Sequence, residues 1–284
     1  SQPGVGGTLP AADLERGWLV AVALDTDNPT QLASYSNACG MAMNYCLAAP
    51  GKVVTTGIND APSSPTYWNW NGTSLAAPQV SGAAALVWQA FPYFNNNLVR
   101  QTLLGTATDL GAPGVDPLFG YGGLNVGMAV LGPARFDWGD VTASFNGGTS
   151  TWANAISGSG GLVKQGTGTL VLESSSTYTG QTQVLGGELR INGNSTLASQ
   201  VTVGPSGTLS GYARVPELRN NGTLRLDQSA FNVTGDYHQG SQARMAVLLS
   251  SPLHVGGTAY LDGELHVLGT KAGYVTSSSE NILA

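Results

Sequence analysis

Asn71-Gly72-Thr73-Ser74-Leu75-Ala76-Ala77-Pro78 places a serine, preceded by glycine and a small residue, at the start of an alanine-rich segment that runs to Phe91. The segment predicts a helix with a proline in its first turn, where a missing N–H costs little. A hydroxyl at that place lies beside its own backbone N–H and the positive end of a helix dipole, and both stabilise negative charge on a substrate oxygen. Ser74 is therefore either a nucleophile for acyl transfer or a simple helix cap, and the G-x-S pattern alone does not decide between them.

Length and composition set the class of protein. A chain of 284 residues allows roughly two domains. A hydrophobic content of 42% argues against disorder, although the chain has 40 glycines and only 10% charged residues. The net charge is −6 and there is no run of Lys or Arg, so nucleic acid is not an expected partner. No apolar run has the length of a membrane helix, and the N-terminus lacks the pattern of a signal peptide. Because Ser1 to Gly4 resembles the middle of a loop, we expect the chain to be a piece of a longer polypeptide.

Cys39 and Cys46 are the two cysteines, and they bracket a short polar loop. They could close a small disulfide in an oxidising compartment or remain as two buried thiols, and the loop favours the disulfide. Two cysteines without nearby histidines do not make a structural zinc site. No metal and no cofactor is expected.

Strands alternate with helices through the first 135 residues. Trp18 to Leu24 is a short apolar run without alternation, which is typical of a buried strand in a parallel sheet. A helix is predicted over Leu98 to Leu104, with asparagines before it as caps, and a shorter one over Val126 to Leu131. This order predicts an α/β domain over residues 1–135.

The order of motifs resembles the subtilisin family of serine proteases. The pieces are Tyr35-Ser36-Asn37, Ala49-Pro50-Gly51, Gly72-Thr73-Ser74-Leu75-Ala76-Ala77-Pro78 with its helix, and Gly120-Tyr121-Gly122-Gly123-Leu124-Asn125. The resemblance covers residues 15 to 131 and implies the C-terminal portion of a subtilisin-like domain. It implies that Ser74 is the nucleophile, that its N–H is one oxyanion donor, and that Gly72 and Thr73 bind the substrate. Leu75 replaces the usual methionine, which conserves volume.

The partners of a serine nucleophile are not found before it. A triad needs a base and an orienting carboxylate, and in the subtilisin order both precede the serine. The 73 residues before Ser74 contain no histidine, and the Gly-Asn turn that would carry the oxyanion asparagine is also absent. Asp13, Asp25 and Asp27 are better interpreted as loop and cap residues. The chain is therefore expected to carry the nucleophile without the triad Asp and His, to need the N-terminal half of the same protease, and to be inactive alone.

An α/β-hydrolase-type esterase is a weaker alternative, because in that fold the acid and the histidine follow the serine. Asp109 or Asp116 with His238 could fill those roles. The proline-rich stretch before Ser74 is a poor core strand, however, and the histidines lie in a region without an α/β pattern.

Residues 136–284 carry a repeat of about twenty residues. Gly-x-Leu triplets begin at glycines 19, 20, 15 and 41 residues apart: Gly168, Gly187, Gly207, Gly222 and Gly263. A turn before each short alternating strand predicts a right-handed parallel β-helix, with an antiparallel sandwich as the alternative. The positions expected to point inward are Leu170 and Leu172, Leu189 and Ile191, Leu224 and Leu226, and Leu265 and Val267. His238, His254 and His266 have no metal-ligand spacing, and we assign them no chemistry.

Part of this repeat resembles the passenger-associated repeat of bacterial autotransporters. The residues that carry the resemblance are Gly161 to Leu170, Tyr178 to Thr182, and Gly186 to Leu189. It implies a serine endopeptidase passenger acting on protein or peptide substrates, secreted or held at the surface of a Gram-negative bacterium. The route would pass through the periplasm and the outer membrane, with an outer-membrane β-barrel translocator in the precursor. A non-catalytic stalk or adhesive segment is the alternative function.

Overall fold

The computed structural model describes residues 12–57, 60–61, 63–228, 230–269 and 281–283. The chain divides into two compact units, Ser1–Val130 and Leu131–Ala284. This division falls a few residues before position 135. No described helix is long and apolar enough to cross a membrane.

The described residues of the first unit form short strands and three α-helices. Its described elements are β1 (Val20–Leu24), β2 (Cys46–Pro50), β3 (Lys52–Thr56), β4 (Tyr67–Asn71), α1 (Thr73–Ala90), α2 (Asn96–Gly105) and α3 (Val126–Ala129), with 3₁₀ helices over Ala12–Gly17 and Gly40–Tyr45. β1 and β2 pair in parallel from Val20 opposite Cys46 to Leu24 opposite Pro50. The buried strand predicted from Trp18 therefore begins two residues later.

The helix that carries the serine packs on these two strands through one face. Its buried side chains are Ala76, Val80, Ala83 and Val87, which recur every three or four residues and so lie on one stripe of the helix. α2 begins at Asn96, two residues before the predicted start at Leu98. The predicted asparagine cap is confirmed, because the Asn95 side chain accepts from the Leu98 N–H at 2.8 Å.

The hairpin of β3 and β4 leads directly into α1. The two strands are antiparallel, with Val53 opposite Trp70 and Thr56 opposite Tyr67. Tyr67 and Trp68 are 72% and 57% exposed. Because neither strand buries a full face, the sequence has no alternating pattern that would have predicted the hairpin.

The second unit is a parallel β-solenoid. One ladder runs through β6 (Thr149–Trp152), β8 (Thr169–Leu172), β10 (Gly187–Thr196), β12 (Gly207–Val215), β14 (Thr223–Leu226), β17 (Arg244–Val247) and β20 (Glu264–Val267). β12 also pairs with β15 (Phe231–Val233), and β15 pairs with β18 (Leu253–Val255). The second ladder runs through β5 (Val141–Ser144), β7 (Leu162–Gln165), β9 (Thr182–Val184), β11 (Val201–Val203), β13 (Leu218–Asn220), β16 (Tyr237–Gln239) and β19 (Ala259–Tyr260). Every strand pairing described in this unit is parallel, which confirms the β-helix and excludes the antiparallel sandwich.

The predicted apolar columns point inward along most of the solenoid. Leu170, Leu189, Leu209 and Leu224 are in register on successive strands and are fully buried. The last described rung differs in burial: Leu265 and Val267 are in register with the buried Met245 and Val247, but they are 52% and 47% exposed. The reason is local: β20 is the outermost strand of its ladder in the described structure, so nothing described covers its far side.

Steric packing explains why a glycine opens the Gly-x-Leu triplets. A Cβ at Gly187 would overlap the carbonyl oxygens of Gly166 and Gly168 in the preceding coil. At Gly207 and Gly222 the obstructing atoms are the carbonyl oxygens of Val184 and Gly204. Since the coils stack about 4.8 Å apart, the chain enters each rung against the backbone below it, and only glycine leaves enough room.

A buried lysine, Lys164, hydrogen-bonds to backbone carbonyls of the repeat. The Lys164 ammonium donates to the carbonyls of Gln165 at 2.7 Å, Gly166 at 3.2 Å and Gly186 at 3.1 Å. It also lies 4.9 Å above the centre of the Phe145 ring. Burial lowers the pKa of Lys164 to about 8.

Candidate active site

Ser74 is the second residue of α1 and its side chain is exposed. Gly72 is the N-cap residue, with extended backbone and no side-chain cap, so Ser74 is not the capping residue. The first N–H groups of a helix have no partner within the helix, and they point outward at its positive end. Among the described residues, no side chain hydrogen-bonds the Ser74 hydroxyl. The exposed hydroxyl and the N–H of Ser74 thus both lie in the first turn of the helix.

Gly72 and Thr73 lie beside this hydroxyl and are both half-buried. The Gly72 N–H donates to the carbonyl of Gly51 at 2.9 Å, and the Gly72 carbonyl accepts from Leu75 at 3.0 Å. A Cβ at Gly72 would come no closer than 3.7 Å to a described atom, the nitrogen of Ser74. Packing within the described structure thus does not explain the glycine, whereas a ligand backbone that approaches closely would.

The three histidines all lie in the solenoid unit. His238 stacks on Tyr260, with ring centres 4.4 Å apart. His254 is half-buried in β18, and His266 is exposed in β20. No group of three His, Cys, Asp or Glu residues in the described ranges is arranged to hold a metal ion.

Four aspartates of the first unit lie in turns or in a 3₁₀ helix. Asp25 accepts from the N–H of Asp27 at 2.9 Å, and Asp13 lies in the first turn of a 3₁₀ helix. Asp109 accepts from Gly114 N–H at 2.9 Å. Asp116 accepts from the N–H groups of Leu118 and Phe119 at 2.6 Å and 3.0 Å. The strand before Ser74 is the exposed antiparallel β4, unlike the buried strand of a nucleophile elbow.

Cys39 and Cys46 form a disulfide and are both fully buried. Their Cα atoms are 5.9 Å apart. The disulfide joins the 3₁₀ helix over Gly40–Tyr45 to the first residue of β2, and so ties this loop to the strand that ends beside Gly51.

A groove lies between α1, β1 and α2. It has a volume of about 290 Å³, and its apolar lining includes Leu19, Ala21, Val80, Ala84, Trp88 and Val99. Leu86 and Trp88 are 46% and 44% exposed. On the outer edge of β1, the described residues supply one bridge, from Leu24 to Leu32.

Each unit contains a segment that matches the model of a known protein family. Residues 5–122 match the model of the subtilase family. The first unit belongs to the subtilase family. Residues 162–191 match the passenger-associated-transport-repeat, which covers β7 to β9 and the first part of β10.

Several curated relatives match across both units. The neisserial autotransporter lipoprotein NalP of Neisseria meningitidis is 38% identical over 261 residues, which is 87% of this chain and 24% of the relative. An extracellular serine protease of Serratia marcescens is 34% identical, over 75% of this chain and 25% of the relative. Serotype-specific antigen 1 of Mannheimia haemolytica is 32% identical, over 98% of this chain and 28% of the relative. The chain thus spans about a quarter of the length of these relatives, and it has the subtilase and repeat organisation of an autotransporter passenger.

Proposed function

We propose that this subtilase chain supplies the nucleophile of a secreted or surface-exposed serine endopeptidase, and that Ser74 is that nucleophile. The observation that carries the proposal is the placement of Ser74: an exposed hydroxyl on the second residue of an 18-residue helix, after a glycine that packing does not require. The names of two relatives, an extracellular serine protease and an autotransporter lipoprotein, support the compartment.

The chemistry follows from this placement. The Ser74 oxygen attacks the peptide carbonyl, and its proton passes to a base. Negative charge then develops on the carbonyl oxygen, where the Ser74 N–H and the helix dipole stabilise it. Gly72 and Thr73 border the space that the substrate backbone would occupy, and the missing Cβ at Gly72 lets that backbone approach.

The base, the orienting carboxylate and the oxyanion asparagine come from an N-terminal half of the same protease. The 73 residues before Ser74 contain no histidine. Of the aspartates described there, Asp13 lies in a 3₁₀ helix, Asp25 and Asp60 accept backbone N–H groups, and Asp27 pairs with Lys52. The apolar groove on α1 and the outer edge of β1 are suited to pack such a half. Protein or peptide substrates, and an outer-membrane translocator in the precursor, complete the proposed set of partners.

A fluorophosphonate probe on the whole protease tests the proposal, because it reacts with activated serines. Ser74→Ala should abolish labelling. Ser81→Ala is the matched control, since Ser81 is an exposed serine on the same helix whose hydroxyl donates to Ala77 at 3.1 Å. Equal labelling of Ser74→Ala and the parent would remove Ser74 from the reaction.

A non-catalytic stalk or adhesive segment is the second candidate. It is favoured by the size of the unit that contains the solenoid, since Leu131–Ala284 is more than half of the chain. A whole protein that no serine-directed probe labels, and that cleaves no peptide, would favour this function over the protease.

A further inference from the structure

The Pro50-Gly51 turn at the end of β2 is in direct contact with the start of α1. The Gly51 carbonyl accepts from the N–H of Gly72, the N-cap residue of α1, at 2.9 Å. It also accepts from the Tyr35 hydroxyl at 2.8 Å. The neighbouring Pro50 carbonyl accepts from the side-chain amide of Gln79 at 2.6 Å. Two adjacent carbonyls therefore hold the same helix at two points.

Gln79 uses both hydrogens of its amide group in this contact. The same nitrogen that donates to Pro50 also donates to the carbonyl of Leu75 at 3.0 Å. Since both partners are carbonyl oxygens, the amide nitrogen and not its oxygen must face them. Gln79 thus links the end of β2 to the residue that follows Ser74.

The turn is closely packed at Gly51. A Cβ at Gly51 would lie 2.5 Å from the Ala23 Cβ and 2.5 Å from the Tyr35 hydroxyl oxygen. The Gly51 N–H donates to Leu24 at 3.1 Å. Because β1, Tyr35 and β2 enclose Gly51 on several sides, its carbonyl and that of Pro50 are fixed reference points for the helix.

We propose that Gln79 is a positioning residue, which fixes the first turn of α1 against the Pro50-Gly51 turn and so sets where Ser74 meets the substrate carbonyl. This inference rests on the proposed role of Ser74. Gln79 touches neither substrate nor the reacting atoms, and it acts through the backbone of Leu75. A displacement of about 1 Å at a reacting atom costs on the order of 100-fold in rate, so losing this link should slow acylation by about 10- to 100-fold.

The test compares Gln79→Leu with Gln89→Leu in the whole protease. Leucine keeps the approximate volume of glutamine but has no donor. Gln89 is an exposed glutamine in the last turn of the same helix, so its variant controls for the change in composition. The first measurement is the rate of fluorophosphonate labelling at saturating probe together with the probe concentration for half-maximal rate. We expect Gln79→Leu to lower the maximal rate by at least about 10-fold and to change the half-saturating concentration by less than about 3-fold.

Hydrogen exchange supplies a readout that does not depend on activity. In Gln79→Leu, peptides covering residues 71–78 should exchange faster than in the parent, while peptides covering residues 162–172 of the solenoid should not change. Tyr35→Phe, which removes one hydroxyl from a partly exposed ring, should produce a smaller change in the same segment.

The outcomes separate this inference from the proposed function. A parent that labels at Ser74, with Gln79→Leu labelling at the parental rate, overturns the positioning role and leaves the nucleophile in place. Unchanged exchange over residues 71–78 in Gln79→Leu also overturns it, whether or not the parent labels. A parent that does not label overturns the proposed function and, with it, the catalytic consequence of this inference, whereas the exchange measurement decides separately whether Gln79 holds the first turn of α1.

Discussion

Replacing the glycine that opens a solenoid rung should destabilise the second unit, and Gly207→Ala is the sharpest case. The new Cβ would overlap the Val184 carbonyl oxygen and lie 3.1 Å from a methyl carbon of Val184. That oxygen already accepts the Gly204 N–H at 2.9 Å. To make room, the two coils must separate or the strand must shift, and this hydrogen bond would be stretched out of range.

The magnitude follows from these two effects. Overpacking against a fixed backbone costs about 1–3 kcal/mol, and the stretched hydrogen bond costs about 1 kcal/mol more. Alanine also restricts the unfolded chain, which returns about 0.4–1 kcal/mol. We therefore expect Gly207→Ala to lower the free energy of unfolding by about 1–4 kcal/mol.

Gly204→Ala is the matched control, because it lies in the same turn. A Cβ there would meet no described atom closer than 3.5 Å, so its effect should lie within about 1 kcal/mol of zero. Urea unfolding of the whole chain, followed by far-UV circular dichroism, gives both values. If Gly207→Ala proves as stable as Gly204→Ala, the steric explanation of the repeat is incorrect.

Two further predictions concern the inside of the solenoid. Leu209→Ala removes a fully buried side chain and should lower the free energy of unfolding in urea by about 2–5 kcal/mol. Leu265→Ala lies in the same column, but its leucine is 52% exposed, so it should cost less than about 1 kcal/mol. Equal costs would contradict the inward column. Burial lowers the pKa of Lys164 to about 8 in the folded chain, whereas the ordinary pKa of lysine is about 10.4. Between these two pH values the unfolded chain still holds a proton that the folded chain has lost. The free energy of unfolding should therefore rise with pH in that window, and Lys164→Met should remove this rise when urea midpoints are compared at pH 7.5 and 9.5. Burial raises the pKa of Tyr178 to about 12. Stability is therefore lost as the unfolded chain's tyrosine ionises from about pH 10, which is above both measured pH values. A parent whose midpoint does not rise between the two pH values would contradict the buried ammonium.

Local sequence patterns were sufficient to predict much of the fold. The small and apolar residues of α1 recur on one stripe, and the Gly-x-Leu triplets recur at nearly constant spacing, so both elements could be predicted from sequence. The second ladder of the solenoid could not, because strands such as Val201–Val203 and Leu218–Asn220 are too short to show a period. The hairpin of β3 and β4 was missed for a different reason, since its strands bury no continuous face.

The candidate site likewise contains some residues whose proximity the sequence predicts and others whose proximity it does not. Ser74, Gly72 and Thr73 stand in one short motif, so their proximity is a consequence of sequence alone. Gln79 is five residues from Ser74, but its partner Pro50 is 29 residues away, and no local pattern indicates that the two meet. The disulfide between Cys39 and Cys46 closes a loop of sequence separation 7, which is short enough for spacing to favour it, although spacing left free thiols as the alternative.

The central claim is that Ser74 becomes a nucleophile in the presence of an N-terminal half of the protease. The most direct measurement treats the whole protease and the 284-residue chain with the same fluorophosphonate probe and locates the covalent adduct by peptide mass spectrometry. We predict one adduct, on the peptide containing Ser74, in the whole protease, and no adduct at Ser74 in the chain alone. An adduct on a different serine, or labelling of Ser74 at the same rate in the chain alone, would contradict the account.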